Sequence, residues 1–210
     1  TAMTRSLGYK WGMDVNGHGA FYNQDPVTLA YSIADLVKLT GETYYFGSVK
    51  GEEIADFAYN YQTQKNALGA YTTSIAKTTS AYFYDAGVDD NGTPLDPDDD
   101  FARPAERANG THVTSETAMT RSDTYKVTDI NSIDRTDDAT IPNLQSETFY
   151  KGDKSYEIAD YSFNYQVGTM NIKSTSVFFY GDGLLRASAS DSDTAMTRSL
   201  GYKWGMDVNG

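Results

Sequence analysis

Residues 85–100 read DAGVDDNGTPLDPDDD and crowd side-chain oxygens more densely than any other part of the chain. Oxygen at that density, punctuated by Gly87 and Gly92, is what a hard cation such as Ca²⁺ takes, six to eight ligands at a time. The candidate metal ligands are Asp89, Asp90, Asn91, Asp96, Asp98 and Asp100. Their spacing is not that of an EF-hand loop, which needs a Glu at its twelfth position. Without an ion the same run is a solvated, self-repelling loop. A sparser set of carboxylates follows at Asp182, Asp191 and Asp193.

Other reactive chemistry is thin. His18 and His112 are the two histidines, and neither has a second ligand or a nucleophile near it in sequence. No glycine-framed serine elbow and no phosphate-cradling loop is present. With no cysteine there is no thiolate site and no disulfide. Three IAD tripeptides, beginning at Ile33, Ile54 and Ile158, repeat a carboxylate, but their apolar residues suit a core and Asp35, Asp56 and Asp160 are expected to face solvent or a turn. Tyr44, Tyr45, Tyr82 and Tyr84, with counterparts Phe149, Tyr150, Phe178 and Tyr180, are shaped to stack on sugar rings. Recurrence at matched positions suits cross-strand packing better. The expectation is a chain that is not an enzyme.

Composition narrows the partners. The net charge of −12 disfavours nucleic acid and anionic lipid, whose phosphates require clustered Lys and Arg. Apolar residues make up 39%, enough for packed cores, yet no apolar run approaches a membrane-spanning helix. Seventeen Tyr among many Thr, Ser, Phe and Val favour strands, because β-branched and aromatic side chains fit a pleated surface.

The elements that must position these residues come in repeats. TAMTRSLGYKWGMDVNG opens the chain at residues 1–17 and closes it at 194–210, a period of 193 residues, and TAMTRS recurs at 117–122. After the first copy come ETYYFG at 42–47, EIADFAYNYQ at 53–62 and KTTSAYFYDAG at 77–87. After the middle copy come ETFYKG at 147–152, EIADYSFNYQ at 157–166 and KSTSVFFYGDG at 173–183. The chain therefore divides into a longer unit, 1–116, carrying the acidic insertion; a shorter unit, 117–193; and 194–210, which starts a third. Length differences fall between the blocks, marking the blocks as core and the gaps as loops.

Leu7, Tyr9, Trp11, Met13 and Val15 alternate with small or polar residues, as do Leu200, Tyr202, Trp204, Met206 and Val208. That period of two makes each a strand with one apolar face, and both tryptophans are expected to be buried in equivalent grooves. The EIAD blocks also alternate, placing Phe57 and Tyr161 towards the core. One helix is expected, capped by Asp25 with Pro26 in its first turn, carrying Leu29, Ile33, Leu36 and Val37 on one face and ending at Gly41. The predicted class is mainly β, antiparallel β-sandwich-like repeats with one short helix.

The spacing Glu157, Ala159, Tyr161, Phe163 resembles the tyrosine-corner pattern of immunoglobulin-like sandwiches, with Phe163 at the cysteine position; Glu53, Ala55, Phe57, Tyr59 departs from it by lacking the hydroxyl. With tandem duplication and acidity, the chain resembles the repeat region of a large bacterial surface adhesin or filament. That resemblance implies a non-catalytic, extracellular or cell-surface structural repeat. Its partners would be copies of itself or adjacent repeats, joined by exchange of the terminal strand. Two other readings are an outer-membrane β-barrel, from the tyrosine-rich amphipathic strands, and a carbohydrate-binding module.

Overall fold

A computed structural model of the chain describes residues 1–10, 37–92, 98, 100–133 and 143–204. Twelve strands follow in order: β1 Arg5–Tyr9, β2 Leu39–Phe46, β3 Ile54–Lys65, β4 Tyr71–Tyr84, β5 Val88–Asp89, β6 Phe101–Ala102, β7 Glu106–Arg107, β8 Met119–Tyr125, β9 Leu144–Lys151, β10 Ile158–Tyr165, β11 Ile172–Tyr180 and β12 Met196–Lys203. Single 3₁₀ turns lie at Ile130–Ser132 and Ala187–Ala189. The class is mainly β and antiparallel, as the alternation predicts.

Nine strands run edge to edge in chain order, β1-β2-β3-β4-β8-β9-β10-β11-β12, with β7 added beside the end of β4; β5 and β6 form a separate pair. Each repeat unit contributes a four-stranded meander, and the two meanders share one sheet across the β4–β8 junction. Tight turns make this possible. Gly47 and Gly152 close the matched β2–β3 and β9–β10 turns at φ of +135° and +117°, and a Cβ on Gly152 would run into the Tyr156 carbonyl.

The two faces of the sheet differ. On one face, Phe57 stacks on Tyr44 and Tyr161 on Phe149, both with centroids 4.6 Å apart, and the residues between them alternate with period two. The EIAD blocks are thus equivalent strands with equivalent aromatic packing. The other face is hydroxyl-rich: Asn60 donates to Thr78 and Ser80, and Ser80 lies 3.3 Å from the Thr124 hydroxyl. The main core forms on the aromatic face, where Ala81 and Phe83 of β4 meet Tyr125, Leu144 and Ile130. It spans the boundary between the units.

Two expectations change. Gly41 does not end a helix, because Leu39–Phe46 is β2, in which Gly41 pairs with Gly8 and Leu39 with Tyr9. Residues 25–36 of that expected helix lie outside the described residues. Trp204 is not buried: it is 75% exposed, and β12 stops at Lys203. Trp204 takes φ of +70°, turning off the strand, and among the described residues no strand lies beyond β12 to cover it. Trp11, Met13, Val15, Met206 and Val208 lie outside the described residues.

Candidate functional site

The TAMTRS strands carry the recurring geometry. Where the first unit meets the second, Tyr82 pairs with Ser122 and Phe83 with Arg121, the register shifts by one, and Tyr84 pairs with Met119. Where the second unit meets the last strand, Phe178 pairs with Ser199 and Phe179 with Arg198, the register shifts at the same place, and Tyr180 pairs with Met196. Even the bulge is reproduced. The bond that follows the junction is reproduced too: Thr79 donates its hydroxyl to the Val127 carbonyl at 2.7 Å, and Thr175 to the Trp204 carbonyl at 3.3 Å. Since one slipped residue would exchange the faces of a strand, this agreement fixes which side chains meet.

On the other side, β1 and β8 each meet the second strand of their own unit. Arg5 pairs with Tyr44 and Ser6 with Thr43, as Arg121 pairs with Phe149 and Ser122 with Thr148. The Ser6 and Tyr45 hydroxyls are 3.2 Å apart and those of Ser122 and Tyr150 3.1 Å. The Met3 amide donates to the Glu53 carboxylate at 2.6 Å, and the Met119 amide to Glu157 at 3.0 Å. Those backbone donors to Glu53, Met3 first, hold its carboxyl below the ordinary Glu range.

Beneath these contacts lies a buried acid. Glu42 accepts from Arg5 at 2.9 Å, from the Tyr44 hydroxyl at 2.9 Å and from the Tyr61 hydroxyl at 2.8 Å. Its counterpart Glu147 accepts from the Tyr165 hydroxyl. Burial, then the Glu42 carboxylate, pushes the Tyr61 hydroxyl well above the usual tyrosine range. The acid is held by three donors, two of them tyrosine hydroxyls.

A second repeated clip was not evident in the sequence. Asp56 and Asp160, expected to face solvent or a turn, instead anchor the connectors between units. Arg107 makes two bonds to Asp56, Nε to Oδ1 at 2.9 Å and Nη2 to Oδ2 at 2.6 Å, and Arg186 Nε reaches Asp160 Oδ1 at 2.8 Å. Both guanidiniums lie over the ring of the next aromatic, Phe57 at 5.6 Å and Tyr161 at 6.0 Å. Each is followed by a buried alanine, Ala108 or Ala187, so the usable signal was the Arg-Ala dipeptide shortly before each later TAMTRS. The Tyr84 and Tyr180 hydroxyls finish the clip by donating to the Ala55 and Ala159 carbonyls. In the tyrosine-corner spacing, then, Tyr161 stacks while Tyr180 supplies a hydroxyl bond to that strand's backbone.

We expect Arg107→Ala to cost about 2 kcal/mol, because it leaves the Asp56 carboxylate largely desolvated without its fork. Arg107→Lys should restore less than half of that, since one ammonium cannot present two parallel N–H groups. Urea midpoints at pH 7 measure both, and full recovery in the lysine variant would contradict the fork.

The acidic loop is organised from within. Asp89 Oδ1 accepts from the Asn91 amide at 3.0 Å and its other oxygen lies 3.5 Å from Arg103; Asp90 accepts from the Gly92 amide at 3.1 Å. Among the described residues no three potential metal-binding side chains gather, while Asp96 lies outside them. The whole segment is an insertion into a turn. In the first unit β7 returns beside Tyr84 after it, and in the second Leu185 bridges to Tyr180 after only a few residues.

His112 is exposed, with Nδ1 2.7 Å from Glu106 and 3.2 Å from the Thr111 hydroxyl. Both contacts fall on one nitrogen, unlike a relay that uses the two separately. The His112 contacts hold the Glu106 carboxyl below its ordinary range. His18 lies outside the described residues. Tyr44 and Phe149, named as possible sugar platforms, give one ring face to Phe57 and Tyr161. No protein-family model matches this chain, and comparison with curated proteins and with solved structures returns no match.

Proposed function

We propose that the chain is a non-catalytic structural repeat of an extracellular surface protein, whose units extend by adding strands to one continuous sheet. The observation that carries this reading is the junction: β4–β8 and β11–β12 use the same residue pairs, the same bulge and the same hydroxyl-to-carbonyl bond. An interface that repeats itself in register can be continued without a new design, which is the logic of repeat proteins. The acidity and the lack of cysteine suit an exposed array that stays soluble without disulfides.

Each 193-residue period supplies eight strands to the meander, and neighbouring strands stand about 4.8 Å apart, so a period widens the sheet by about 38 Å. Small-angle scattering of one-period and two-period chains should show the maximum dimension growing by about that amount. Two separate bodies on a loose linker would overturn the reading.

The up-and-down strand order also suits an outer-membrane barrel, the second reading. A barrel wall needs an apolar outer band, whereas Ser80, Ser122, Thr124, Thr148 and Ser162 occupy one face of this sheet, and the aromatic face also carries the Arg5–Glu42 ion pair. A requirement for detergent to keep the chain monodisperse would favour the barrel.

A further inference from the structure

We propose that β12 of one molecule occupies the place of β1 in a second copy of this chain, by exchange and not by simple edge-to-edge addition. The inference rests on the reading of units adding to one sheet, and it names the partner, the slot and the contacts.

The sheet ends on two copies of one strand. Among the described residues, β1 pairs with β2 on one side only, and β12 with β11 on one side only. The middle copy, β8, shows what a TAMTRS strand does when both sides are filled: it takes β4 on one edge and β9 on the other. β12 already sits on β11 as β8 sits on β4. Its outer edge is therefore in register for a strand of the β2 or β9 kind.

The side chains agree. β1 meets the rest of its unit through Arg5 on Glu42, Ser6 on Tyr45 and the Met3 amide on Glu53. β12 presents the same three groups at Arg198, Ser199 and Met196, and all three residues are exposed. Trp204 stands just beyond them, 75% exposed, at the position Val127 holds in the middle copy, where it packs against the core shared by the two units. In that copy Tyr125 pairs with Leu144; in the exchanged assembly Tyr202 would face the second copy's Leu39, which now pairs with Tyr9.

Edge addition without exchange cannot reproduce this. Laying β12 against an intact β1 pairs one TAMTRS strand with another, and no Glu, Tyr or second-strand backbone stands opposite Arg198, Ser199 and Met196. Once β1 leaves, every contact it made is replaced by an identical one from β12. The exchange is therefore matched in its local contacts: the pairing gained on the outer edge of β12 is the pairing that β1 gives up on β2, and β12 then lies between two strands as β8 does. Because donor and slot lie at opposite ends of the sheet, the contact is heterologous, and repeated addition builds a head-to-tail chain. The molecule's own β2 lies across the full meander from β12, so filling the slot from within the same chain would require the sheet to curl shut.

The absence of cysteine makes the test direct. Facing Cα atoms of adjacent antiparallel strands are about 4.5–5.5 Å apart, within disulfide range. Ser122→Cys with Thr148→Cys in the full chain joins a pair that faces within one molecule, and should lock as a monomer under oxidation. Thr43→Cys with Ser199→Cys joins the matching pair across the proposed exchange. The expected result is a ladder of covalent oligomers stepping by 23.1 kDa, reduced to monomer by dithiothreitol. A locked internal pair with no ladder from Thr43 and Ser199 overturns the exchange and leaves the continuous-array reading standing. A covalently closed monomer from Thr43 and Ser199 also overturns it, by showing that β12 reaches its own β2. Failure of the Ser122–Thr148 pair to lock overturns the register on which both readings stand.

Discussion

Between about pH 10 and pH 12 the sheet is expected to unfold in one steep step, with its tyrosines ionising together as it does so. Burial raises the hydroxyl pKa of Tyr44, Tyr61, Tyr82, Tyr84, Tyr161 and Tyr180, with Glu42 adding to the rise at Tyr61 and Asp160 at Tyr161 and Tyr180. A tyrosine becomes an anion when it loses its proton, and in the unfolded chain it does so near pH 10. Above that pH the unfolded chain therefore holds fewer protons than the folded one, and stability falls as pH rises. The contribution is complete below pH 10 and disappears as pH climbs towards the raised folded values. Absorbance at 295 nm and far-ultraviolet circular dichroism, followed in one titration, should move together. Tyrosines ionising near pH 10 over an intact sheet would show that they are not held as described.

Replacing Leu144 by Ala should lower stability by about 3 kcal/mol, and the loss should appear in both repeat units. Leu144 is fully buried among Ala81, Phe83, Tyr125 and Ile130, so deleting its branched end leaves a cavity in the core that spans the junction. Hydrogen exchange can read this strand by strand. Amides of β3 in the first unit and β10 in the second should lose protection together. Leu68→Ala, at a hairpin tip where the side chain is 92% exposed, should change neither. Loss of protection confined to β9 and β10 would mean that each unit stands alone.

Much of the architecture was legible because duplication supplies its own alignment. The EIAD blocks alternate with period two in both copies, and they became β3 and β10 with Phe57 and Tyr161 stacked alike. Gly41, expected to end a helix, lies inside β2 because a glycine after an apolar periodic run reads as a helix stop in isolation, whereas its pairing with Gly8 is a tertiary fact. Arg107 and Arg186 escaped notice for a different reason. They lie in connectors of unequal length, where the two units cannot be aligned by counting, and their meeting with Asp56 and Asp160 is set by the return of the chain beside Tyr84 and Tyr180. For Trp204 the alternation was read correctly as far as Lys203. Burial, however, depends on whether a strand stands outside β12, and a strand's own pattern does not contain that.

A meander whose ends are its two outermost strands has a definite response to pulling. Tension applied between β1 and β12 acts along the direction of the inter-strand hydrogen bonds, so it opens β1 from β2, or β12 from β11, a few bonds at a time from a strand end. It does not shear a whole ladder at once. Extension would thus proceed as a sequence of small yields, each releasing one strand and its loop, and relaxation would let the same strand zip back into the same register. A sheet opened in this way would lengthen under force and recover its length when the force is removed.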